Sequence, residues 1–289
     1  MLVISNFAIA KDNISNSEIK LKNSLLWKIT GNEITQPSYL YGTMHLICDK
    51  TTFEKDKVQK AVDKTSQLYL EVDMFNPEAM QSAMNILLED QKIKDINDQT
   101  KKAQLLSLAS KHLGMSSSMI ENTTLMTIFS MMAYKATDGC AVPTSVEEAL
   151  IGMFKEINPK VFGLETIEQQ MKFVTDSGVA NLDNTITGLE EFSEMKVIYK
   201  EMNEYYQSEN ISALYTIMIK PSDVYSQEFI DKMMEVLLVQ RNKNWVEQIP
   251  EIASQSQTFF GVGAGHLPGK NGVINLLRQA GYTVEAVMD

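Results

Sequence analysis

Two apolar runs, one near each end of this 289-residue chain, stop at the same four-residue shape. SYLYGTMHL (38–46) runs into Gly42-x-x-His45, and TFFGVGAGH (258–266) into Gly263-x-x-His266. An aromatic-rich apolar stretch of this length reads as a buried strand, and a glycine where it stops permits a tight turn. If both stretches belong to one sheet, the chain must return to its start after some two hundred residues.

The other strand signals obey the same plan. LLWKIT (25–30) precedes the first run, with the turn-rich GNEITQPS between them as a hairpin connection. QLYLEVDM (67–74) follows an amphipathic helix (53–65), so strand–helix–strand points to parallel pairing. KVFGLE (160–165) is a short strand in mid-chain, and YTVEAV (282–287) closes the chain. The residues between read as helices. The expected fold is therefore α/β, mixed α+β in its layers. It has a central, mostly parallel sheet built from both chain ends and two large helical insertions at about 77–157 and 180–255. The organisation expected is a segment 1–23 followed by a single domain, 24–289.

Composition removes several function classes. The net charge of −11 opposes a nucleic-acid backbone or an anionic membrane surface as partner. No run of 18 apolar residues exists, so no transmembrane anchor is expected. MLVISNFAIA ends in Ala8-Ile9-Ala10 and gives way to a polar stretch, as in the tail of a signal peptide without its basic start. Export to the periplasm or outside is the expectation, with a cytoplasmic home still open. Two cysteines, Cys48 and Cys140, permit one disulfide. Their pairing would tie the loop after His45 to the first helical block.

Three histidines offer the first chemistry. His112, in Ser110-Lys-His-Leu-Gly114, suits a helix C-terminus, where a cation meets the dipole. His45 and His266 each follow a strand, three residues after Gly42 or Gly263, with Gly265 beside the second. The carboxyl ends of strands line the ligand crevice of an open α/β sheet, so the two can converge. Glu71 ends a buried strand, where a carboxylate must be paired, hydrogen-bonded or metal-bound, and Asp73 at i+2 would share its face. Two imidazoles and a carboxylate form a usual catalytic metal set; a buried arginine would satisfy Glu71 equally. The chain has only two arginines, Arg241 and Arg278. Arg241 ends the helical run EVLLVQR and offers a fixed fork for a carboxylate or an oxyanion, or a plain salt bridge. Glu165, in FGLET, closes another strand and either supports the site or begins a helix. Neither GVGAGH nor AGHLPGKN completes a nucleotide-binding pattern, and no G-x-S-x-G or H-E-x-x-H occurs.

With two G-x-x-H motifs, a glutamate in LYLEVDM, FGLETIEQQ and the RN-x-x-W segment of LLVQRNKNWVEQI in this order, the chain resembles the TraB/GumN family, which includes the Tiki metalloproteases. The resemblance runs from about residue 24 to 287. It implies a fold related to the erythromycin-esterase and ChaN-like proteins and a divalent-metal-dependent hydrolase, with Mn2+ or Co2+. His45 and His266 would face the metal or act in catalysis. Glu71 would be a ligand or general base, and Arg241 would stabilise the transition state. The function expected is a peptidase acting on peptides or protein N-terminal segments. Two alternatives stand beside it: an esterase-like, metal-free hydrolase with His45 as general base, and a non-catalytic protein that captures a peptide such as a pheromone. The oligomeric state is not legible.

Overall fold

The computed structural model describes residues 21–48, 53, 55–73, 76–137, 140, 143–155, 161–222 and 224–288. Ala8-Ile9-Ala10 and the rest of the apolar N-terminus lie outside these residues.

The chain enters through an antiparallel pair, β1 (Leu26–Gly31) and β2 (Ile34–Thr43), then forms α1 (Asp56–Val62) and β3 (Gln67–Leu70). A helical block follows: α2 (Pro77–Glu89), α3 (Gln99–Leu113), α4 (Ser117–Glu121), α5 (Leu125–Ala136) and α6 (Val146–Lys155). After β4 (Val161–Gly163) come α7 (Ile167–Ser177), α8 (Leu182–Glu190), α9 (Phe192–Gln207), α10 (Ile211–Met218) and α11 (Gln227–Met234). A π-helical turn, Glu235–Val239, joins α11 to α12 (Gln240–Gln255), and β5 (Thr258–Gly263), α13 (Val273–Gln279) and β6 (Thr283–Ala286) complete the order.

The six strands make one sheet, β4-β3-β5-β2-β1-β6. Its first four strands are mutually parallel, and β1 is antiparallel to both β2 and β6. Both chain ends therefore share the sheet. β5 sits at its centre, and five of the six residues of TFFGVG are buried. A parallel strand covered on both faces needs such an unbroken apolar run, which is why no alternation marks it.

Two boundaries differ from the sequence reading. The hairpin connection is only Asn32-Glu33, and β2 begins at Ile34 rather than Ser38. Gly31 and Asn32 take φ of +105° and +46°, a conformation these two residue types tolerate, so the chain reverses in two residues. Pro37 is accommodated because β2 pairs with β5 only from Tyr39 onward, so its missing N–H breaks no ladder there. On the other side, β3 ends at Leu70. Glu71 stands one residue past the strand, and the alternation that would align Asp73 with it does not extend that far.

The main core surrounds the sheet, with Trp27, Leu40, Phe259, Phe260 and Trp245 fully buried. A second apolar cluster, including Ile93, Leu105, Ile128 and Leu189, lies among α3, α5 and α8. The first helical excursion is thus stabilised from within as well as by the sheet. Cys48 and Cys140 form a disulfide across 92 positions, next to an antiparallel bridge between Ile47 and Thr144. It ties the loop after β2 to the segment before α6, as their positions allowed. Among the described residues no helix is long and apolar enough to cross a membrane.

Candidate active site

Four adjacent parallel strands deliver the candidate residues to one edge of the sheet. β4 is followed by Glu165, β3 by Glu71, β5 by His266 and β2 by His45. The two G-x-x-H motifs run side by side, offset by one residue, with Gly42 opposite Val262 and Thr43 opposite Gly263. Convergence at the carboxyl ends follows from parallel pairing alone.

Arg241 joins most of this edge. Only 6% exposed, it donates from Nη2 to Glu71 Oε2 at 2.5 Å and to Glu165 Oε1 at 2.6 Å. Its Nε donates to both oxygens of Glu165, and Nη1 to Leu237 O, in the π turn that precedes it. A π turn inside a helix is a common mark of a functional position. The buried ion pair weighed for Glu71 is therefore present. The guanidinium fork binds two carboxylates at once, a geometry lysine cannot copy.

Glu71 is 7% exposed and fully engaged. Oε1 accepts from the backbone N–H of Gly263 at 2.7 Å, and Oε2 also accepts from Gln170 Nε2. Gly263 has to be a glycine for this contact, because a Cβ there would lie 3.1 Å from Glu71 Oε1. Burial pushes the carboxyl up, but Arg241, the two histidines and the Gly263 N–H outweigh it and bring Glu71 down to about 2. Glu165 goes the other way: burial raises it against the pull of Arg241.

His266 is 4% exposed, in a short turn after β5. Asn242 fixes its tautomer. The Asn242 Nδ2 group donates to the carbonyls of His266 and Asn271, which leaves Oδ1 to accept from His266 Nδ1 at 2.6 Å. Nε2 is then an acceptor, 3.2 Å from Arg241 Nη1 and 3.6 Å from Glu71 Oε1. Burial, helped by Arg241 and opposed by Glu71, lowers the imidazole to about 3, so it is neutral at ordinary pH. Trp245 packs on the same ring at 4.5 Å between centroids, with Arg241 Cζ 4.7 Å from the indole ring. The RN-x-x-W segment is thereby explained. One helical turn presents the cation, the amide that orients His266 and the indole that covers it.

His45 lies apart, with a side chain 74% exposed. It does not touch His266. Its Nδ1 is 3.0 Å from the Oε1 of Glu147 on α6, and Glu147 is the main reason the imidazole rises to about 9. A cleft of about 230 Å³ brings His45, Glu71, Glu147, Ser145 and Gln170 to one space. Glu147 is well partnered in this space: Oε1 meets His45 Nδ1, Oε2 accepts from Ser145 Oγ at 2.6 Å, and Thr43, which does not line the cleft, is a further hydrogen-bond partner. Arg241 and His266 stand behind Glu71 and do not line this cleft.

The residues do not fit a metal ion held jointly by His45, His266 and Glu71. Arg241 lies against both Glu71 Oε2 and His266 Nε2, where a dication would meet a guanidinium at contact distance. Among the described residues no three of His, Cys, Asp and Glu are spaced to hold one. Asp73 lines a different, larger cleft. His112 sits in the last turn of α3 before Gly114, as its surroundings indicated.

Glu147, Asn242, Gln170 and Thr43 were missed by sequence reasoning. Glu147 lies in a plain helix start, VEEAL, and only the fold turns it toward His45. Asn242 carried a signal, since it adjoins Arg241 in the RN pair.

The profile of the TraB/PrgY/gumN family matches residues 25–286, nearly the whole chain. No curated protein and no solved structure matches it.

Proposed function

The chain belongs to the TraB/PrgY/gumN family, and on that premise we propose that it is a hydrolase of the peptidase type, working in the cleft shared by His45, Glu71 and Glu147. The observation that carries this reading is the 3.0 Å ion pair between the exposed His45 imidazole and Glu147, on a cleft that Glu71 also lines. An acid and carboxylates on one cleft are groups expected around an attacking water.

In this reading the water sits in the cleft beside His45 and Glu147, and a carboxylate takes its proton. His45, cationic below about pH 9, donates to the carbonyl oxygen as negative charge develops, then to the leaving amine. Glu147, and more weakly the fixed negative charge of Glu71, keep His45 protonated. Arg241 and the Gly263 N–H hold Glu71 in place rather than touching substrate, and His266 accepts from Arg241. Asn242 in turn holds His266. Export belongs to the same proposal, because a disulfide such as Cys48–Cys140 persists in oxidising compartments.

A second reading is the metallopeptidase that the resemblance implies; the described side chains as they stand do not fit its metal, so it enters only as an outcome of the test. One experiment separates the readings. Wild type and His45→Ala are stripped with chelator, measured for metal content, and assayed on mixed peptides before and after Mn2+ is restored. Hydrolysis that survives chelation and vanishes in His45→Ala supports the metal-free cleft. Hydrolysis lost on chelation and regained with Mn2+ transfers the function to a metallopeptidase. Peptide binding without product would leave only a capture protein.

A further inference from the structure

The cleft at His45 has a larger neighbour. Val72 lines both, and beyond it lies a cleft of about 1140 Å³ walled by α2, α7 and α12. Its lining carries six carboxylates, Asp73, Glu78, Glu165, Glu168, Asp176 and Glu247, against a single ammonium, Lys172. Arg241 neutralises Glu165, and Lys172 pairs with Asp176. Glu78, Glu168 and Glu247 keep the lining negative without counting Asp73, and a concave wall of low dielectric concentrates that field on whatever enters.

A second observation is independent of charge. Trp245 also lines this cleft, is fully buried, and its indole Nε1 has no hydrogen-bond partner. An unmet buried donor costs about 1–3 kcal/mol, and an indole can only donate. What completes the site must therefore bring an acceptor as well as positive charge. A metal cation would answer the carboxylates but be repelled by the N–H. A polyamine would bring charge without a carbonyl, and a nucleotide would bring the wrong sign. A peptide bearing lysine or arginine supplies both.

We propose that this cleft seats a Lys- or Arg-containing segment of a peptide whose backbone carbonyl accepts from Trp245, beside a scissile bond placed at His45. The inference rests on the hydrolase reading for its link to cleavage, but its binding claim is separable. The chain has two tryptophans, Trp27 and Trp245, so 5-fluorotryptophan labelling yields two fluorine resonances, assigned with Trp245→Phe. The probes are a Lys-rich peptide, a Glu-rich peptide of equal length, and spermine.

The Lys-rich peptide is expected to move the Trp245 resonance, with an affinity that falls as salt rises. Glu168→Gln with Glu247→Gln should weaken it by about 2- to 10-fold, two exposed pairs' worth. Equal binding of the Glu-rich peptide, equal binding of spermine, or a Trp245 resonance unmoved by the Lys-rich peptide would each overturn the proposal. The two readings fail differently. Binding of the Lys-rich peptide with no peptide cut refutes the hydrolase and leaves this site standing. Cleavage of neutral peptides with no preference for basic ones does the reverse.

Discussion

At the residue scale the site is an exercise in keeping charges apart and satisfied. Three ionisable groups within a few residues of strand ends hold three different states: Glu71 ionised, His266 neutral, His45 cationic. With only three histidines in the chain, their ring signals can be followed individually by NMR. We expect His45 to titrate above its ordinary 6.5, by less than a buried pair would give, and His266 to show no titration until near 3. A His266 midpoint close to 6.5 would contradict the buried, Asn242-held tautomer. Arg241 is the common cation, and Arg241→Met leaves Glu71 and Glu165 buried and uncompensated. Breaking such a pair costs about 3–5 kcal/mol, and urea unfolding measures it. Arg241→Lys should recover only part, since one ammonium cannot serve both carboxylates and His266 at once. Among the motif glycines, Gly263→Ala presses a Cβ against Glu71 Oε1 and threatens the 2.7 Å bond to its own N–H. A loss of about 1–3 kcal/mol with loss of activity is expected. At Gly265 the new Cβ meets only the flexible end of Met218, so the alanine variant there should be milder. Comparable losses at both positions would show that Gly263 is merely structural.

At the element scale, the strand ends and one helical turn do the positioning. β2, β3, β4 and β5 stop one to three residues before their functional side chains, so small errors in a strand boundary move a residue into or out of the site. Asp73 shows this: read as sharing the face of Glu71, it faces another cleft because β3 stops at Leu70. The RN-x-x-W turn of α12 was legible as a motif, but its division of labour was not. Asn242 Oδ1 and Trp245 find His266 only once α12 packs against the sheet at β2, beside the turn that follows β5. The loop carrying His45 is held by the Cys48–Cys140 disulfide and the Ile47–Thr144 bridge. Paired serine replacements of these cysteines should cost about 2–4 kcal/mol and lower activity more than substitutions remote from β2. An unchanged thermal midpoint would show that the bridge adds nothing to the folded state.

At the scale of the whole molecule, the acid limb of stability follows from the site. His266 has a folded value depressed below the unfolded 6.5, so its stabilising contribution is complete above that pH and is lost as pH falls toward 3. Glu71 adds a second loss between its unfolded 4.5 and about 2. His45 has the opposite sign, its contribution present below 6.5 and fading as pH rises toward 9, but solvent screens that exposed pair and keeps it small. Denaturant midpoints should therefore fall from pH 6.5 downward, and less steeply in His266→Gln, which has no proton to gain. An identical acid limb in both proteins would remove His266 as its cause. The apolar runs, the repeated G-x-x-H and the turn residues determined by themselves that both chain ends enter one sheet and that the strand ends bearing His45, His266, Glu71 and Glu165 lie along its edge. These are local patterns, and parallel pairing turns them into position without further information. Only the tertiary structure decided which of the gathered groups meet. Arg241 went to the carboxylates and His266, while His45 went to Glu147 on a helix about a hundred residues away. Burial and contact across elements fix charge state and partner, and no local spacing in the chain encodes them.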